Sequence, residues 1–282
     1  MKQTLARISS NVEVIPGIHL MWIEAPEMAA AAQPGQFITV RCGDFVLRRP
    51  FSIHHSSPLT GEDPGEGEIA ILFKVAGKGT LWLSQQQNGE KIDILGPLGK
   101  GFTVGPKSKN LLLVAGGIGI APLVFLMQRA SSRQQITLIH GAATAAQLYP
   151  RGCQLTAIGH QTVQVIPVTE DGSTGQKGMA TDVLPDFLNW ADQVYACGPM
   201  DMYKAMAHSL NPSPLKGEER GEGEKRSKLK LRECQVSLEV RMGCGFGACY
   251  GCTINTKKGL KQVCRDGPVF ELDDIIWREV NI

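Results

Sequence analysis

The sequence predicts a multi-domain protein with an N-terminal antiparallel β-barrel, a central α/β domain with a parallel sheet, and a small cysteine-rich C-terminal module. Three observations predict it. The 282 residues suffice for about two domains of roughly 150 residues. Near Asn110, closely spaced strands give way to strands that alternate with helices, and five of the eight cysteines lie between Cys234 and Cys264. The expected boundaries are residues 1–105, 106–210, 211–231 (a charged low-complexity linker) and 232–282.

The strands expected in the barrel are short and are separated by turn residues. They are predicted at residues 36–40, 45–47 and 69–75. Helical periodicity is almost absent between them. Closely spaced strands of this kind are typical of a small β-barrel.

The α/β domain is predicted from apolar strands that alternate with helical segments. A helix is expected at residues 122–130, and the strands are expected at residues 111–114, 136–139, 163–168 and 194–196. Continuous apolar strands separated by helices indicate a parallel sheet that is covered on both faces.

The charge balance excludes two classes of partner. The chain has 29 Lys and Arg against 27 Asp and Glu, for a net charge of +2, too near neutral for a general binder of nucleic acids or anionic membranes.

Residues 1–7 lack an apolar run, so a cytoplasmic protein without a signal peptide is expected. Residues 111–127 carry no charge but are interrupted by glycine and by Pro122, so no membrane span is expected.

Two segments repeat each other. Residues 57–68 recur as residues 213–224 with nine of twelve positions identical. Glycine, proline and charged residues dominate both copies, which therefore cannot hold a packed core. We expect surface insertions, because lengthening an exposed loop adds little closure entropy; a paired recognition motif is the alternative.

The most specific motif is a run of four cysteines with the spacing C-x4-C-x2-C-x11-C, formed by Cys244, Cys249, Cys252 and Cys264. This spacing in a glycine-rich loop matches plant-type two-iron two-sulfur sites. Glycines allow the backbone N–H groups to turn toward the sulfurs. Structural zinc and disulfides are the alternatives.

A second motif lies in the predicted barrel. Arg49, Pro50, Phe51 and Ser52 end a strand, and a Gly79-Thr80 turn follows later. An Arg fork, a Ser hydroxyl and free backbone N–H groups can bind a diphosphate. A surface salt bridge for Arg49 and an ordinary turn at the start of a helix for Gly79 are the alternatives.

A third motif is glycine-rich and lies between a strand and a helix of the α/β domain. Its glycines are Gly116, Gly117 and Gly119, placed where a dinucleotide pyrophosphate meets a helix N-terminus; tight strand–helix packing is the alternative. The turn of Cys197, Gly198 and Pro199 also follows a strand. Cys197 can face a nicotinamide there or be a buried small residue.

The remaining cysteines and histidines receive no chemical role. Cys42, Cys153 and Cys234 match no ligand spacing. His54 and His55 are expected on a loop surface rather than in catalysis, because neighbouring residues of a strand point to opposite faces.

In this order, the motifs resemble the ferredoxin–NADP reductase superfamily. The run from Ser237 to Cys252, followed by Cys264-Arg265-Asp266-Gly267, is similar to the electron-transfer subunits of class B dihydroorotate dehydrogenase. The resemblance covers essentially the whole chain except the two repeated inserts. The insert before the cysteine module leaves the orientation of the domains open.

The resemblance implies three cofactors: FAD, a 2Fe-2S cluster and NAD. It implies that the four cysteines hold the cluster, and that FAD is bound by Arg49, Pro50, Phe51, Ser52, Leu72, Phe73, Lys74, Gly79 and Thr80. NAD is then expected at Gly116, Gly117, Gly119, Cys197, Gly198 and Pro199. NAD is favoured over NADP because residues 140–147 contain no Arg or Lys for a 2′-phosphate.

The implied function is electron transfer to NAD+ in pyrimidine (UMP) biosynthesis. The resemblance places dihydroorotate oxidation in an FMN-containing catalytic partner subunit, with two copies of each chain in the assembly, and no catalytic residue for it in this chain. FAD can couple a one-electron cluster to a two-electron nicotinamide. Three alternatives stay open: a reductase subunit of another redox complex, such as a sulfide dehydrogenase or hydrogenase, a self-contained NAD(P)H oxidoreductase, and a zinc-bearing interaction subunit.

Overall fold

The computed structural model describes residues 1–57, 67–150, 163–210 and 234–280. Most of the first repeated insert, all of the second, and Cys153 lie outside the described residues. Within the described ranges, no helix combines the length and the hydropathy that crossing a membrane requires.

Six antiparallel strands close into a barrel at the N-terminus. Their ranges are β1 (Lys2–Ile15), β2 (Ile18–Glu24), β3 (Phe37–Arg41), β4 (Arg49–Ser57), β5 (Glu68–Lys74) and β6 (Lys91–Leu98). Their order around the barrel is β1-β2-β5-β4-β3-β6. Alternate residues of β6 are buried, as the two-residue period of a strand requires. The helices α1 (Pro26–Ala31) and α2 (Lys78–Ser84) connect strands of the barrel.

The strand predicted at residues 45–47 is wrong. Gly43 has a φ of +54°, and the Phe45 N–H donates to the Cys42 carbonyl at 3.2 Å, so the chain turns here. Val46 is 94% exposed. A strand cannot continue through a positive φ and a local turn without losing its ladder partners.

The α/β domain contains most of a seven-stranded sheet. Its strands are β7 (Asn110–Gly116), β8 (Gln135–Ala142), β9 (Val163–Thr169), β10 (Gln176–Lys177), β11 (Gln193–Cys197) and β12 (Cys234–Ser237). The helices are α3 (Ile120–Arg129), α4 (Ala180–Leu188) and α5 (Met200–Leu210). These six strands run parallel to one another, so the fold class predicted from the sequence is confirmed.

The C-terminal segment continues this sheet before it forms the cysteine region. Its remaining elements are β13 (Thr253–Thr256), β14 (Gly259–Gln262), α6 (Val263–Asp266) and β15 (Val269–Glu271). The sheet order is β10-β9-β8-β7-β11-β12-β15, and β13 and β14 form a separate hairpin. Two strands from the region predicted as a third module therefore belong to the sheet of the second, and they fix the cysteine region to it.

Helix α3 joins the α/β domain to the barrel by packing on β4. The Gln128 side chain accepts the Ser56 backbone N–H at 3.1 Å and donates to the Ser56 carbonyl at 2.6 Å. It thus takes the place of a neighbouring strand at that edge of β4. The two domains consequently meet along β4. Arg49 to Ser52 begin this strand, so their predicted position at the end of a strand is wrong, because the chain turns near Gly43 before it reaches them.

Candidate functional site

A cavity of about 570 Å³ lies where the barrel, the α/β domain and the C-terminal segment meet. Of the residues predicted to bind FAD, the wall includes Arg49, Pro50, Phe51, Ser52, Leu72, Phe73 and Lys74. The opposite wall comprises Ile118, Ala121 and residues 237–242. Three segments that are distant in sequence thus surround one space.

The barrel side of the cavity combines aromatic and cationic groups. Phe51 on β4 and Phe73 on β5 lie with their ring centroids 5.6 Å apart at 58°. Arg49 and Lys74 add positive charge to the same wall, whereas the charge of Arg48 is paired with Asp93. An apolar surface for a flat ring system beside cations for an anionic group matches the chemistry of a flavin dinucleotide.

Arg49 lies against the start of α2. A Cβ on Gly79 would come within 3.1 Å of the Arg49 Nε, so the absence of a side chain at Gly79 makes room for the guanidinium group. The Thr80 hydroxyl accepts N–H groups of Ala76 and Gly77 at 2.9 and 3.1 Å and donates to the Gly77 carbonyl. Thr80 therefore fixes the turn that places Gly79 beside Arg49.

The glycine turn, residues 116–121, packs directly on the Cys-Gly-Pro turn, residues 197–199. A Cβ on Gly116 would lie 2.6 Å from the Pro199 Cδ, and a Cβ on Gly119 would overlap the Cys197 carbonyl. Both glycines are required by this close approach of two backbones. The structure therefore brings together all six residues predicted for NAD, at the carboxyl ends of β7 and β11.

The Cys197 thiol is buried, with 1% of the residue exposed. Burial, together with the nearby Glu239 carboxylate, raises the pKa of the thiol. Tyr203 holds the same turn in place by two hydrogen bonds. Its hydroxyl accepts the Gly198 N–H at 2.9 Å and donates to the Ser237 carbonyl at 2.6 Å. Tyr203 thus joins the Cys-Gly-Pro turn to the chain that leads into the cavity wall.

Glu239 is the acidic group of the cavity wall that the sequence analysis missed. It follows β12 and lines the cavity, and surrounding protein raises the pKa of its carboxyl group. No sequence motif marks Glu239 as a functional residue, because it is a single Glu before Val240 and Arg241 without a spaced partner. Only the pairing of β12 with β11 brings Glu239 next to the Cys-Gly-Pro turn.

The expected surface position of His54 and His55 is wrong. His54 lies inside β4 and is 3% exposed, because this part of β4 is covered by α3. One ring nitrogen lies 3.1 Å from the Ala121 carbonyl and the other 2.9 Å from the Tyr149 hydroxyl. His55 is half-buried, with its ring centroid 5.0 Å from that of Trp22. Burial lowers the pKa of His54 to about 3 and that of His55 to about 4.

The four predicted ligands lie in two pairs on the cysteine loop, residues 243–252, and on α6. The Cys244 and Cys249 thiols contact each other, as do the Cys252 and Cys264 thiols. Among the described residues, no three His, Cys, Asp or Glu side chains converge on a position for a single ion. Two thiolates for each of two irons is the donor set of a two-iron cluster.

Backbone N–H groups point toward these sulfurs. The Ala248, Gly251 and Cys264 N–H groups donate to Cys244 Sγ, Cys249 Sγ and Cys252 Sγ at 3.2–3.4 Å. Burial disfavours ionisation of the Cys244 thiol, but N–H donors of Phe246, Cys249 and Ala248 outweigh it and lower the pKa to about 6. Burial and the neighbouring Cys252 raise the pKa of Cys264 to about 12. Such N–H donors stabilise thiolates and cluster sulfurs.

The cysteine loop begins at the cavity. Met242 lines the cavity, and Cys244 follows two residues later, a chain length of at most about 7 Å. A Cβ on Gly245 would meet Thr39 of β3 at 2.7 Å, so the loop packs tightly on the barrel. The cavity and the four sulfurs are therefore adjacent parts of one site.

Two family models match the chain. The iron-sulfur cluster binding domain of dihydroorotate dehydrogenase B matches residues 239–276. The oxidoreductase NAD-binding domain matches residues 113–208. The first model covers all four cysteines and therefore favours an iron–sulfur cluster over zinc, and the second covers both turns of the α/β domain.

Relatives and solved structures agree with these models. The dihydroorotate dehydrogenase B (NAD(+)) electron transfer subunit of Desulforamulus reducens is 36% identical over 96% of this chain and 97% of its own length. That of Caldanaerobacter subterraneus is 34% identical over 96% and 98%. A solved NADH-dependent reduced ferredoxin-NADP oxidoreductase, described for flavin-based electron bifurcation, is 28% identical with a TM-score of 0.77 and covers 98% of this chain and 91% of its own.

The resemblance drawn from the motifs is therefore confirmed, and so is the oxidoreductase class. The fold likeness extends to more distant flavin reductases, such as a ferredoxin NADP+ reductase from Neisseria gonorrhoeae solved with FAD and NADP, at 17% identity over 84% of this chain and 98% of its own, with a TM-score of 0.62. The identity and coverage of the first relatives establish that this chain belongs to the family of dihydroorotate dehydrogenase B (NAD(+)) electron transfer subunits.

Proposed function

We propose that this chain carries electrons from a dihydroorotate-oxidising partner subunit, by way of a 2Fe-2S cluster and FAD, to NAD+ in pyrimidine biosynthesis. The observation that carries the proposal is the continuity of the site. Residues 237–242 line the cavity opposite β4 and β5 and lead directly into the cysteine loop. Short distances between the cofactors favour electron transfer, and this chain continuity keeps them short.

The barrel wall holds FAD. Phe51, which packs on the buried Phe73, provides the apolar surface, and Arg49, placed by Gly79 and Thr80, binds the diphosphate through charge-assisted hydrogen bonds. Pro50, Ser52, Leu72 and Lys74 complete this side of the cavity. Bound FAD supplies the exchange of single electrons with a cluster and of a hydride with a nicotinamide.

The two turns of the α/β domain bind NAD+. The glycine turn offers backbone N–H groups to the pyrophosphate at the start of α3, while the Cys-Gly-Pro turn borders the nicotinamide side. Glu239 lines the same cavity, and desolvation raises the pKa of its carboxyl group. No residue of this chain is assigned to dihydroorotate.

The cysteine loop and α6 hold the cluster. Cys249 is exposed, whereas Cys252 and Cys264 are buried. One side of the cluster would therefore face a partner, and the other side would face the protein interior beside the cavity. The partner is an FMN-containing catalytic subunit in a cytoplasmic assembly of two copies of each chain.

The experiment that tests the proposal co-expresses the chain with a class B dihydroorotate-oxidising subunit and measures NAD+ reduction by dihydroorotate at 340 nm. We expect reduction by the complex and none by either subunit alone. The chain alone should still oxidise NADH with ferricyanide as acceptor. A complex that oxidises dihydroorotate with a dye but never reduces NAD+ would overturn the proposed route.

A second candidate function is a reductase subunit of another redox complex. The similarity to the NADH-dependent reduced ferredoxin-NADP oxidoreductase favours it, because the same three cofactor regions suit a different electron donor. Reduced ferredoxin distinguishes the two. If ferredoxin, and not dihydroorotate with its subunit, reduces the purified chain, the second candidate is correct.

A further inference from the structure

Two buried histidines contact the glycine turn at carbonyl groups four residues apart. His140 on β8 lies with Nε2 3.2 Å from the Gly117 carbonyl, and His54 on β4 lies with Nδ1 3.1 Å from the Ala121 carbonyl. Both rings are almost fully buried, at 2% and 3% exposure. The turn is therefore held from the α/β sheet at one end and from the barrel at the other.

The contacts fix which nitrogens carry protons. A carbonyl oxygen only accepts hydrogen bonds, so His140 carries its proton on Nε2 and His54 carries its proton on Nδ1. The second nitrogen of His54 accepts the Tyr149 O–H at 2.9 Å. Burial lowers the pKa of His54 to about 3 and that of His140 to about 4, so both rings are neutral near pH 7.

The anchored carbonyls constrain the N–H groups of the turn. In a planar trans peptide, the C=O and the following N–H point in opposite directions. Because the Gly117 carbonyl is directed at His140, the Ile118 N–H is directed away from β8, and Ile118 lines the cavity. Gly117 has a φ of +53°, a conformation that the hydrogen bond from His140 helps to maintain. His54 fixes Ala121, which also lines the cavity.

We propose that His140 and His54 are positioning residues for the dinucleotide. His140 directs the Ile118 N–H toward the pyrophosphate, and His54 fixes the far end of the turn to the strand that carries Arg49 and Ser52. The histidines act through hydrogen bonds to backbone carbonyls and exchange no protons with a substrate. This inference rests on the proposed binding of NAD+ by the glycine turn.

The test is an equilibrium titration of the full chain with NADH, followed by fluorescence. Asn places an N–H donor near the position of His Nδ1, and Gln places one near Nε2, whereas Leu and Met have similar shapes without a donor. We expect His54→Leu and His140→Met to raise the NADH dissociation constant about tenfold, which corresponds to about 1.4 kcal/mol. His54→Asn and His140→Gln should stay within about twofold of the wild type.

Gln128→Leu is the matched control. It removes the hydrogen bonds to Ser56 in the same contact of α3 with β4 but none to the glycine turn. It should lower the melting temperature without changing NADH affinity. A loss of affinity equal to that of His54→Leu would mean that NADH affinity depends on domain packing and not on the anchored carbonyls.

Four other results decide whether the two histidines position the glycine turn. Leu and Met variants that keep full flavin content and wild-type NADH affinity contradict the proposal. If those variants do not fold, the Asn and Gln variants decide: retained affinity supports the positioning role, and lost affinity with full flavin contradicts it. Failure of the wild-type chain to bind NADH would instead refute the proposed NAD site itself.

Discussion

Gly119 lies so close to Cys197 that a Cβ on Gly119 would overlap the Cys197 carbonyl and come within 2.7 Å of the Gly198 N. Two loops that are distant in sequence thus meet backbone to backbone at the adjacent ends of β7 and β11. The position allows glycine alone, and it connects the two parts of the proposed NAD site.

Gly119→Ala should separate these two turns. Because the overlap is with backbone, the turns must move apart, and we expect the NADH dissociation constant to rise at least about tenfold, or ~1.4 kcal/mol. Flavin content should be retained, since the barrel is not touched. Gly77→Ala is the control: its Cβ meets nothing within 4 Å, so NADH binding should not change. Equal affinity in Gly119→Ala and wild type would refute the contact.

Arg49→Ala should weaken FAD binding. Hydrogen bonds to charged groups contribute about 1.5–3 kcal/mol, which corresponds to roughly a 10- to 150-fold loss of affinity. The measurement is the ratio of flavin to protein after gel filtration. Arg7→Ala, which removes an exposed ion pair with Glu24 on the barrel, should keep the wild-type ratio. A full flavin complement in Arg49→Ala would exclude Arg49 from the site.

Cys249→Ser should remove the cluster and keep the flavin. Cys249 is exposed, so the substitution does not disturb a core, while a two-iron cluster needs all four thiolates. Iron and sulfide analysis should fall toward zero, and dihydroorotate-dependent NAD+ reduction should fall to background. NADH oxidation with ferricyanide should persist. Cys42→Ala, at a buried cysteine of the barrel core, should keep full iron content; the reverse pattern would place the cluster elsewhere.

The buried histidines should make stability depend on pH. The pKa of His54 falls from 6.5 to about 3 mainly by burial, with the Ala121 carbonyl opposing and His55 assisting the shift. Below pH 6.5 the unfolded chain therefore binds more protons than the folded chain. As the pH decreases further, the free energy of unfolding decreases by about 1.4 kcal/mol per pH unit because of this group.

The pH prediction is measured as a difference between wild type and His54→Asn in urea unfolding from pH 7.5 to 5. Glu271, whose carboxyl pKa is raised to about 7 mainly by burial, titrates in the opposite sense but is common to both proteins. The wild type should lose stability more steeply than the variant as the pH falls below 6.5. Parallel curves would mean that His54 is accessible to protons.

The features that could be predicted from the sequence are local. The cysteine spacing, Arg49 to Ser52, and the glycine turn each lie within a short segment, and the strand pattern around them distinguishes barrel from α/β domain. The structure brings these segments together as expected. The role of each residue in cofactor binding stays a prediction.

The features that could not be predicted depend on long-range pairing. Glu239 reaches the cavity because β12 pairs with β11, although the two strands are separated by 36 residues in the sequence. His54 is buried because α3, whose Ala121 is 67 positions away, packs on β4. Burial of this kind arises from the docking of domains, which hydrophobic periodicity within one segment does not encode.

The most direct test of the central claim is an anaerobic titration of the co-purified complex, followed by visible absorption and electron paramagnetic resonance. Iron, sulfide and flavin analysis should first give about two irons, two sulfides and one FAD for each copy of this chain. Dihydroorotate should bleach both the flavin and the cluster, and NAD+ should restore their absorption with formation of NADH. A cluster that stays oxidised while dihydroorotate reduces the partner would contradict the account.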